Sequence, residues 1–391
     1  MQYRKFGKLD WDVSILGFGA MRLPTKDGKI DESEATKMLY HAIDQGVNYV
    51  DTAYPYHDGQ SERLLGKALK DGYCDKVKLA TKLPSWAINE AVDFDKYFNE
   101  QCERLQTDGV DFYLLHSLNK SWWPKLRDFG VLDWAEQKIK EGRIGYLGFS
   151  FHDDNSTFEE IVDAYDWTSC QIQYNYMDIE NQAGTKGLQY AISKGMAVII
   201  MEPILGGNLA NPPEVIRGLW ETADTKRTPV DWALQWLWNQ PEIPVVLSGM
   251  STMEQVEQNL RSAEVAEINA LTEGEMAIFD KIREKYQELR PIPCTQCGYC
   301  MPCPNGVGIP RNFALYNEGM MFDNPEGARG GYNWLGQEFK IGISSEDTRA
   351  ASCVQCEICN EKCPQSIPIS QWMPVVHEVL GEGQSYRSTL S

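Results

Sequence analysis

The stretch VNYVDTAYPYHDGQSERLLGKALKDGYCDKVKLATKL, residues 47–83, holds one full copy of the pattern that decides the fold. It begins with a short apolar run, continues through the segment SERLLGKALKDG, and ends in a second apolar run, VKLATKL. Apolar runs of this length are typical of buried strands, and the segment between them has the spacing of an amphipathic helix. The stretch therefore predicts a strand, a helix and a second strand.

The same strand-then-helix pattern recurs along the chain up to about residue 285. Eight strand-like runs precede that point, at 13–19, 47–53, 77–83, 110–118, 144–151, 169–175, 196–203 and 243–250. An amphipathic segment follows each run. The first of these segments has Asp31 as its predicted N-cap and is expected to end at Gly46, and Pro229 falls in the first turn of the seventh.

Eight such units in roughly 250 residues predict an α/β fold, a (β/α)8 TIM barrel. A doubly wound parallel sheet is the alternative. That fold would place a glycine-rich phosphate turn after its first strand, but GFGAMR contains only the first two glycines of the motif. The barrel is therefore the preferred prediction.

Polar residues follow several of the predicted strands, at the end of a barrel where chemistry collects. Asp51 ends the second run, Tyr56 lies five residues further on, Lys82 ends the third run and His116 ends the fourth. Taken singly, Asp51 would be a turn residue, Lys82 a solvated lysine and His116 a core histidine. Together, a lysine ammonium would lower the pKa of the tyrosine and make it a proton donor, while the aspartate holds the lysine and the histidine orients a carbonyl oxygen.

The run Asp51-Thr52-Ala53-x-x-Tyr56, then Thr81-Lys82, then Leu114-Leu115-His116 resembles the aldo-keto reductases, over about residues 1–285. The resemblance implies an oxidoreductase that interconverts a carbonyl and an alcohol on a small molecule. It implies Tyr56 as the general acid, Lys82 and Asp51 as the groups that tune it, and His116 as the group that places the carbonyl. NAD(P)H would lie across the barrel mouth and supply the hydride.

The resemblance also implies a set of cofactor-binding residues. Ser150 matches the family's serine that holds the carboxamide, and Gln171 matches the family's glutamine in strand six. Met201 stands where the family has an aromatic residue against the nicotinamide ring. Gly206 would lie near the pyrophosphate. Further positions at the last strand and helix are Ser251 and Asn259, the latter matching an adenine contact.

Two positions near the last strand bear on the choice of nucleotide. Where the family often has a lysine and an arginine for the adenosine 2′-phosphate, this chain has Gly249 and Gln255. The absence of the lysine and the arginine favours NAD over NADP as the predicted cofactor.

Eight of the eleven cysteines lie in two tight runs near the C-terminus. The second has the bacterial ferredoxin spacing with a proline after its last cysteine, and the first is one residue shorter before its last cysteine. Zinc, disulfides and a purely structural cluster are the alternatives. The spacing predicts two 4Fe-4S clusters in which the fourth cysteine of each run crosses over. One ligand set would be Cys294, Cys297, Cys300 and Cys363, and the other Cys353, Cys356, Cys359 and Cys303.

The cysteine runs define a second predicted domain. We expect a barrel at 1–285 and an iron–sulfur domain at 286–391. The residues between the runs include FALYNEGMMF, which reads as helical, and a glycine-rich patch, GARGGYNW. The second domain is therefore predicted to be a mainly helical, two-cluster ferredoxin-like domain.

The two predicted parts handle electrons differently. A hydride carries two electrons, whereas a cluster takes one. A flavin or a radical-forming substrate would convert between them, but the chain shows no flavin fingerprint. In one reading the tail exchanges electrons with a soluble carrier, and in another its clusters are structural or redox-sensing. A different class of function, an electron-transfer or regulatory protein with little turnover, also remains open.

Charge and composition restrict the partners. The formal net charge is −19 and the pI is near 4.8, which argues against binding nucleic acid, since phosphate contacts need a basic surface. The apolar runs have strand length, so no membrane partner is predicted. The N-terminal sequence MQYRKFGKLD has no apolar stretch typical of a signal peptide, so a cytoplasmic location is expected.

Overall fold

The computed structural model describes residues 1–70, 72–340, 346–387 and 390. By backbone contacts the chain divides into two compact units. The first contains Met1–Gly206 and Val230–Thr272, and the second contains Gly207–Pro229 and Glu273–Ser391. The domain limits drawn from the sequence concern parts that fold on their own, which this grouping does not test, and they stay a prediction.

The strands of the first unit are short. They are β1 (Tyr3–Lys5), β2 (Asp12–Ser14), β3 (Leu16–Gly19), β4 (Thr25–Lys26), β5 (Lys29–Ile30), β6 (Tyr49–Asp51), β7 (Lys78–Leu83), β8 (Val110–Leu118), β9 (Ile144–Phe151), β10 (Ser169–Gln173), β11 (Ala197–Met201) and β12 (Val245–Gly249).

Eight of these strands close into a parallel barrel. Going round it, the order is β3, β6, β7, β8, β9, β10, β11 and β12, with β12 pairing back to β3. Each barrel strand falls within one of the eight apolar runs of the sequence. The (β/α)8 barrel is therefore confirmed.

One or two helices follow each barrel strand in chain order. They are α1 (Glu32–Asp44), α2 (Gln60–Ala68), α3 (Val92–Leu105), α4 (Trp122–Asp128), α5 (Val131–Lys140), α6 (Asn155–Asp163), α7 (Gly184–Ser193), α8 (Glu214–Trp220), α9 (Pro229–Trp238) and α10 (Met253–Glu264). Of these, α8 belongs to the second unit.

The helix ends predicted from single residues are found in the structure. The side chain of Asp31 accepts a hydrogen bond from the backbone N–H of Glu34 and so caps α1. Just past that helix Gly46 has a φ of +100°, which a glycine adopts without a steric penalty. Pro229 is the first residue of α9.

The end of the barrel at which the strands begin is closed by a β-hairpin that the sequence did not predict. Strands β1 and β2 pair antiparallel, and the chain between them carries Phe6 into the barrel. The Phe6 ring lies 4.8 Å from the ring of Phe112 and is fully buried. Apolar side chains fill this end of the barrel. The polar residues Asp51, Lys82 and His116 lie at the other end, where the strands finish.

The second unit is mainly helical, as predicted. Besides α8 it contains α11 (Glu273–Glu288), α12 (Ile309–Met321), α13 (Pro325–Lys340), α14 (Ile358–Lys362) and α15 (Ile369–Leu380). The glycine-rich patch lies inside α13. A Cβ at Gly331 would lie 2.5 Å from a methyl of Leu315, so this glycine lets α12 and α13 approach closely.

No helix in the described ranges has both the length and the apolar character needed to span a bilayer.

Candidate functional site

Three adjacent barrel strands bring the predicted catalytic residues together. Asp51 is the last residue of β6, Lys82 lies near the end of β7, and His116 lies near the end of β8. Tyr56 begins a 3-10 turn that follows β6. At His116 the pairing of β8 with β9 is irregular and the next residue, Ser117, has a φ of +55°, so a bulge sets the direction of the histidine.

A buried ion pair lies at the centre of this group. The Lys82 Nζ donates to Asp51 Oδ1 at 2.6 Å and to the carbonyl oxygen of Thr52 at 2.8 Å. The two side chains are 1% and 3% exposed. Burial lowers the pKa of Lys82, but Asp51 and Tyr56 raise it by more, so the net direction is upward and the lysine is a fixed cation.

Tyr56 lies directly against this cation. The Lys82 Nζ is 5.1 Å from the centre of the Tyr56 ring. The net lowering of the Tyr56 pKa expected from the sequence is not found. Burial raises the pKa of Tyr56, and Lys82 acts in the expected direction but does not outweigh it. The phenol therefore keeps its proton at neutral pH and is available as an acid.

His116 completes the group as a neutral ring. Its ring centre is 6.1 Å from that of Tyr56 and 5.1 Å from that of Trp86. Burial, reinforced by Lys82 and His152, holds the pKa of His116 well below its ordinary value. At neutral pH the imidazole can therefore donate or accept a hydrogen bond without carrying charge.

Behind Lys82 lies a buried polar network that the sequence did not reveal. The carboxylate of Glu62, fully buried, accepts from Thr81 at 2.7 Å, from Gln101 at 2.7 Å and from Arg104 at 3.1 Å. The same Gln101 amide donates to the carbonyl oxygen of Lys82 at 3.0 Å. Glu62 lies on α2, Gln101 and Arg104 lie on α3, and Thr81 lies on β7. The two helical segments have an ordinary amphipathic pattern, so the sequence carries little signal for the network.

Two of the predicted cofactor residues present unused hydrogen-bonding capacity at the mouth. Ser150 Oγ accepts from the backbone N–H of Ser117 at 2.7 Å, which leaves its hydroxyl proton for another acceptor. Gln171 donates weakly to the sulfur of Met201 at 3.7 Å, and its Oε1 is buried with no partner among the described residues. A free amide oxygen next to a hydroxyl donor is the complement of a primary carboxamide.

The other predicted cofactor residues differ in how accessible they are. Gly206 has a φ of +65° in the loop after β11. Ser251 is exposed, and its hydroxyl donates to the carbonyl oxygen of Arg22 at 2.7 Å. Asn259 is only 6% exposed and donates to Ser248 at 2.9 Å, so its amide nitrogen is already engaged within the protein.

Arg22 and Glu202 lie near these loops and were not assigned a cofactor role from the sequence. The stem of Arg22 lies 3.2 Å from where a Cβ would stand on Gly249, and its guanidinium lies 3.4 Å from the same point on Gly206. Glu202 approaches Gly206 equally closely. Burial raises the pKa of Glu202, with Arg22 opposing.

In the second unit the eight clustered cysteines form two groups. Cys294, Cys297, Cys300 and Cys363 all line one pocket. Apart from these thiols the pocket is lined largely by apolar side chains, among them Ile309, Phe313, Ile367 and Ile369. Burial raises the pKa of Cys294, and the neighbouring thiols of Cys297 and Cys363 raise it further.

The second group contains three cysteines of the second run, Cys353, Cys356 and Cys359, together with Cys303 of the first run. Burial raises the pKa of Cys353, and the thiols of Cys303 and Cys356 add to the shift. Burial raises the pKa of Cys359, and the thiols of Cys353, Cys303 and Cys356 raise it further. In each group three cysteines come from one run and one from the other, so the donor sets fit two thiolate-bound clusters with crossed fourth ligands.

The two cysteine loops also share their backbone geometry. In each loop a glutamine N–H donates to the sulfur of the first cysteine at 3.4 Å, from Gln296 to Cys294 and from Gln355 to Cys353. Both glutamines have positive φ. This repeated wrapping exposes the second cysteine of each run, Cys297 and Cys356.

The cysteine groups are not arranged around a single ion. Within the described ranges, no group of three or more His, Cys, Asp or Glu side chains has the geometry to hold one metal ion. A cubane offers four separate corners, so its ligands need not converge on one point.

Comparisons with known proteins agree with this division. A model of the Aldo/keto reductase family matches residues 15–284, and a model of the 4Fe-4S dicluster domain matches residues 293–367. The chain is 29% identical to L-galactose dehydrogenase of Arabidopsis thaliana over 300 residues, covering 69% of this chain and 90% of the relative. It is 27% identical to the uncharacterized oxidoreductase YqkF of Bacillus subtilis over 314 residues, covering 71% of this chain and 94% of the relative.

A solved structure gives the same result for the barrel. The holo form of the aldo-keto reductase AKR11C1 from Bacillus halodurans is similar with a TM-score of 0.61 at 27% identity. The match covers 72% of this chain and 96% of that chain.

Proposed function

The chain belongs to the aldo/keto reductase family and carries a C-terminal 4Fe-4S dicluster domain, and we propose that it interconverts a carbonyl and an alcohol by hydride transfer with NAD(P)H at the barrel mouth. The observation that carries this proposal is the contact of Tyr56 with the buried Lys82–Asp51 pair beside a neutral His116. These groups together supply an acid, a fixed cation and a neutral hydrogen-bonding ring at one point.

Each residue has a distinct task in the proposed reduction. Tyr56, kept protonated by burial, donates its proton to the substrate oxygen as negative charge develops there. Lys82, held by Asp51, stabilises the phenolate that remains. His116 donates a hydrogen bond to the carbonyl oxygen and fixes its distance from Tyr56.

The chain has groups that fit the nicotinamide end of the cofactor. When bound, NAD(P)H supplies the hydride. We propose that Ser150 and Gln171 hold its carboxamide, because one offers a free hydroxyl proton and the other a free buried oxygen. Met201, half-buried at the end of β11, would pack against the ring.

The remaining proposed cofactor contacts concern the far end of the nucleotide. Gly206 would lie at the pyrophosphate, and Ser251 and Asn259 at the adenosine. Gly249 and Gln255 offer no cation for a 2′-phosphate, so we propose NADH as the preferred donor. The stem of Arg22 lies against Gly249 while its guanidinium lies at Gly206, so this cation would contact the pyrophosphate of either nucleotide.

A steady-state assay tests the proposed reaction. Purified protein is mixed with NADH or NADPH and a panel of aldehydes, ketones and sugars that includes L-galactose, the compound named in the Arabidopsis relative. Consumption of cofactor with formation of alcohol supports the proposal. No turnover with any member of the panel, in either direction, would favour the alternative of a regulatory or electron-transfer protein.

The pH dependence of kcat/KM is a second prediction of this account. Burial puts the pKa of His116 well below its ordinary value, so the ring stays neutral as the pH falls through 6.5, and burial raises the pKa of Tyr56 so that the acid stays protonated into the alkaline range. Since kcat/KM reports the free enzyme, we expect no acid limb near pH 6.5 and a decline only at alkaline pH. An acid limb near 6.5 that disappears in His116→Gln would contradict this.

For the second unit we propose two 4Fe-4S clusters that transfer electrons. The first would be held by the pocket group of Cys294 and its three partners, and the second by the group of Cys353. Anaerobically purified protein is expected to contain about eight iron and eight acid-labile sulfide per chain, from four of each per cluster. Four of each would mean one cluster, and zinc without sulfide would refute the iron–sulfur proposal.

A further inference from the structure

We propose that the face around the first cysteine loop, residues 294–301, is the docking site for a small acidic one-electron carrier protein, and that electrons enter or leave the chain there rather than at the second loop. The inference rests on the proposed iron–sulfur function of these cysteines. It adds which of two similar loops meets the partner and what chemistry the partner has.

The first loop combines an exposed ligand with exposed apolar side chains. Cys297 is exposed, and beside it Tyr299 is 69% exposed and Met301 is 37% exposed. Electron-transfer complexes have small interfaces. Aromatic and methionine side chains are enriched in the contact areas of protein complexes. This loop therefore offers a compact apolar contact directly over a cluster ligand.

Charge distinguishes this loop from the rest of the chain. The sequence has 56 acidic residues in 391, yet residues 289–317 contain none. The same segment contains Arg290 and Arg311, both exposed and neither in an ion pair within the described ranges. A carboxylate oxygen of Glu346 lies against Gly306, three residues after Cys303 of the second group.

Both arginines lie close to the first cysteine group. Arg290 lies four residues before Cys294 in the chain. Arg311 is in the first turn of α12, next to Ile309 and Pro310, which line the pocket of that group. On a chain of net charge −19, a cationic, apolar face with an accessible cluster ligand is complementary to an acidic partner.

The second loop has the opposite character at the matching position. Gly298 follows the exposed Cys297 with a φ of +75°, whereas Glu357 follows the exposed Cys356 with a φ of +64°. Left-handed backbone of this kind favours glycine, so the glutamate holds this conformation under steric strain. The exposed carboxylate next to the second ligand would repel the acidic carrier that the first loop attracts.

The exchange at this face is a single electron. A carrier with a fully reduced flavin would give up one electron and be left one-electron oxidised, and Cys294, Cys297, Cys300 and Cys363 would hold the cluster that accepts this electron. No bond is made or broken and no proton needs to move. Two such steps match the electron count of one hydride.

The test uses an acidic flavodoxin as the probe, with its flavin fully reduced, mixed with the full chain in a stopped-flow instrument. Appearance of the blue one-electron-oxidised flavin gives the second-order rate constant. At low salt we expect Arg290→Glu with Arg311→Glu to lower this constant by at least about tenfold, and the difference to shrink as salt rises. The matched control is Lys281→Glu with Lys340→Glu, which makes the same charge change at exposed lysines elsewhere in the second unit.

A second pair of variants tests the apolar contact. Tyr299 and Ile358 occupy matching positions before the third cysteine of each loop. We expect Tyr299→Ser to weaken flavodoxin binding, measured by titration calorimetry, and Ile358→Ser to leave it unchanged. Iron and sulfide contents, measured for every variant, show that the clusters are intact.

Several outcomes would overturn the inference. Equal slowing by the two charge reversals would mean a general charge effect without a specific face. A wild-type dimer in light scattering that dissociates on Arg290→Glu with Arg311→Glu would assign the face to a second copy. An intact cluster content with no electron exchange in wild type would remove both this inference and the electron-transfer role, whereas missing iron would refute the cluster proposal itself.

Discussion

Changing Tyr56 to Phe is expected to lower kcat for carbonyl reduction by about 10²- to 10⁴-fold, the contribution typical of a positioned general acid. The ring keeps its place against Lys82 and His116, because the cation lies over the ring face and the two rings meet edge to face. Only the proton that reaches the substrate oxygen is removed. The cofactor should therefore bind as before, measured by quenching of protein fluorescence.

Tyr54 provides the matched control for this variant. It lies two residues away, and its hydroxyl donates to Glu100 at 3.1 Å while its ring stacks on Arg104. Tyr54→Phe removes the same atom from a group outside the catalytic cluster, so kcat is expected to change by no more than about twofold. Comparable activity in Tyr56→Phe and wild type would remove Tyr56 from the mechanism.

The second large effect is expected on stability. Glu62→Ala removes a fully buried carboxylate that accepts hydrogen bonds from Thr81, Gln101 and Arg104. Arg104 keeps Glu100 at 2.6 Å but loses its buried partner. Breaking a buried ion pair on one side costs about 3–5 kcal/mol of unfolding free energy, and urea denaturation would measure it.

Exposed Glu103 on α3 serves as the control, with an expected change within about 0.5 kcal/mol for Glu103→Ala. Glu62→Gln, which keeps the shape and one acceptor, should fall between the two. Activity should fall together with stability in Glu62→Ala, because Gln101 also holds the carbonyl oxygen of Lys82. An unchanged urea midpoint in Glu62→Ala would show that the network does not contribute to stability.

The barrel was predictable because each strand is a continuous apolar run followed by an amphipathic helix. Such a pattern depends on local burial, which one sequence shows. The β1–β2 hairpin was not predictable, since its strands have three residues each and lie in a polar segment, YRKFGKLDWDVS. Its role depends on Phe6 reaching the barrel interior, which is a tertiary contact.

The proximity of the candidate-site residues was predictable, but their electrostatics were not. Strand ends gave the positions of Asp51, Lys82 and His116, because neighbouring parallel strands end on one side. The direction of the Tyr56 pKa was wrong because it depends on how completely the phenol is buried, which outweighs the nearby cation. The Glu62 network was missed because its members come from two helices and a strand that meet only in the folded chain.

The most direct test of the central claim, hydride transfer at the barrel mouth, uses NADH labelled with deuterium on the transferred face of C4. The reduced product is analysed by mass spectrometry and NMR. Direct transfer predicts one deuterium on the former carbonyl carbon and a slower reaction than with unlabelled NADH. An alcohol without deuterium at that carbon, with the label lost to water, would show that the hydride passes through another carrier and would contradict the account.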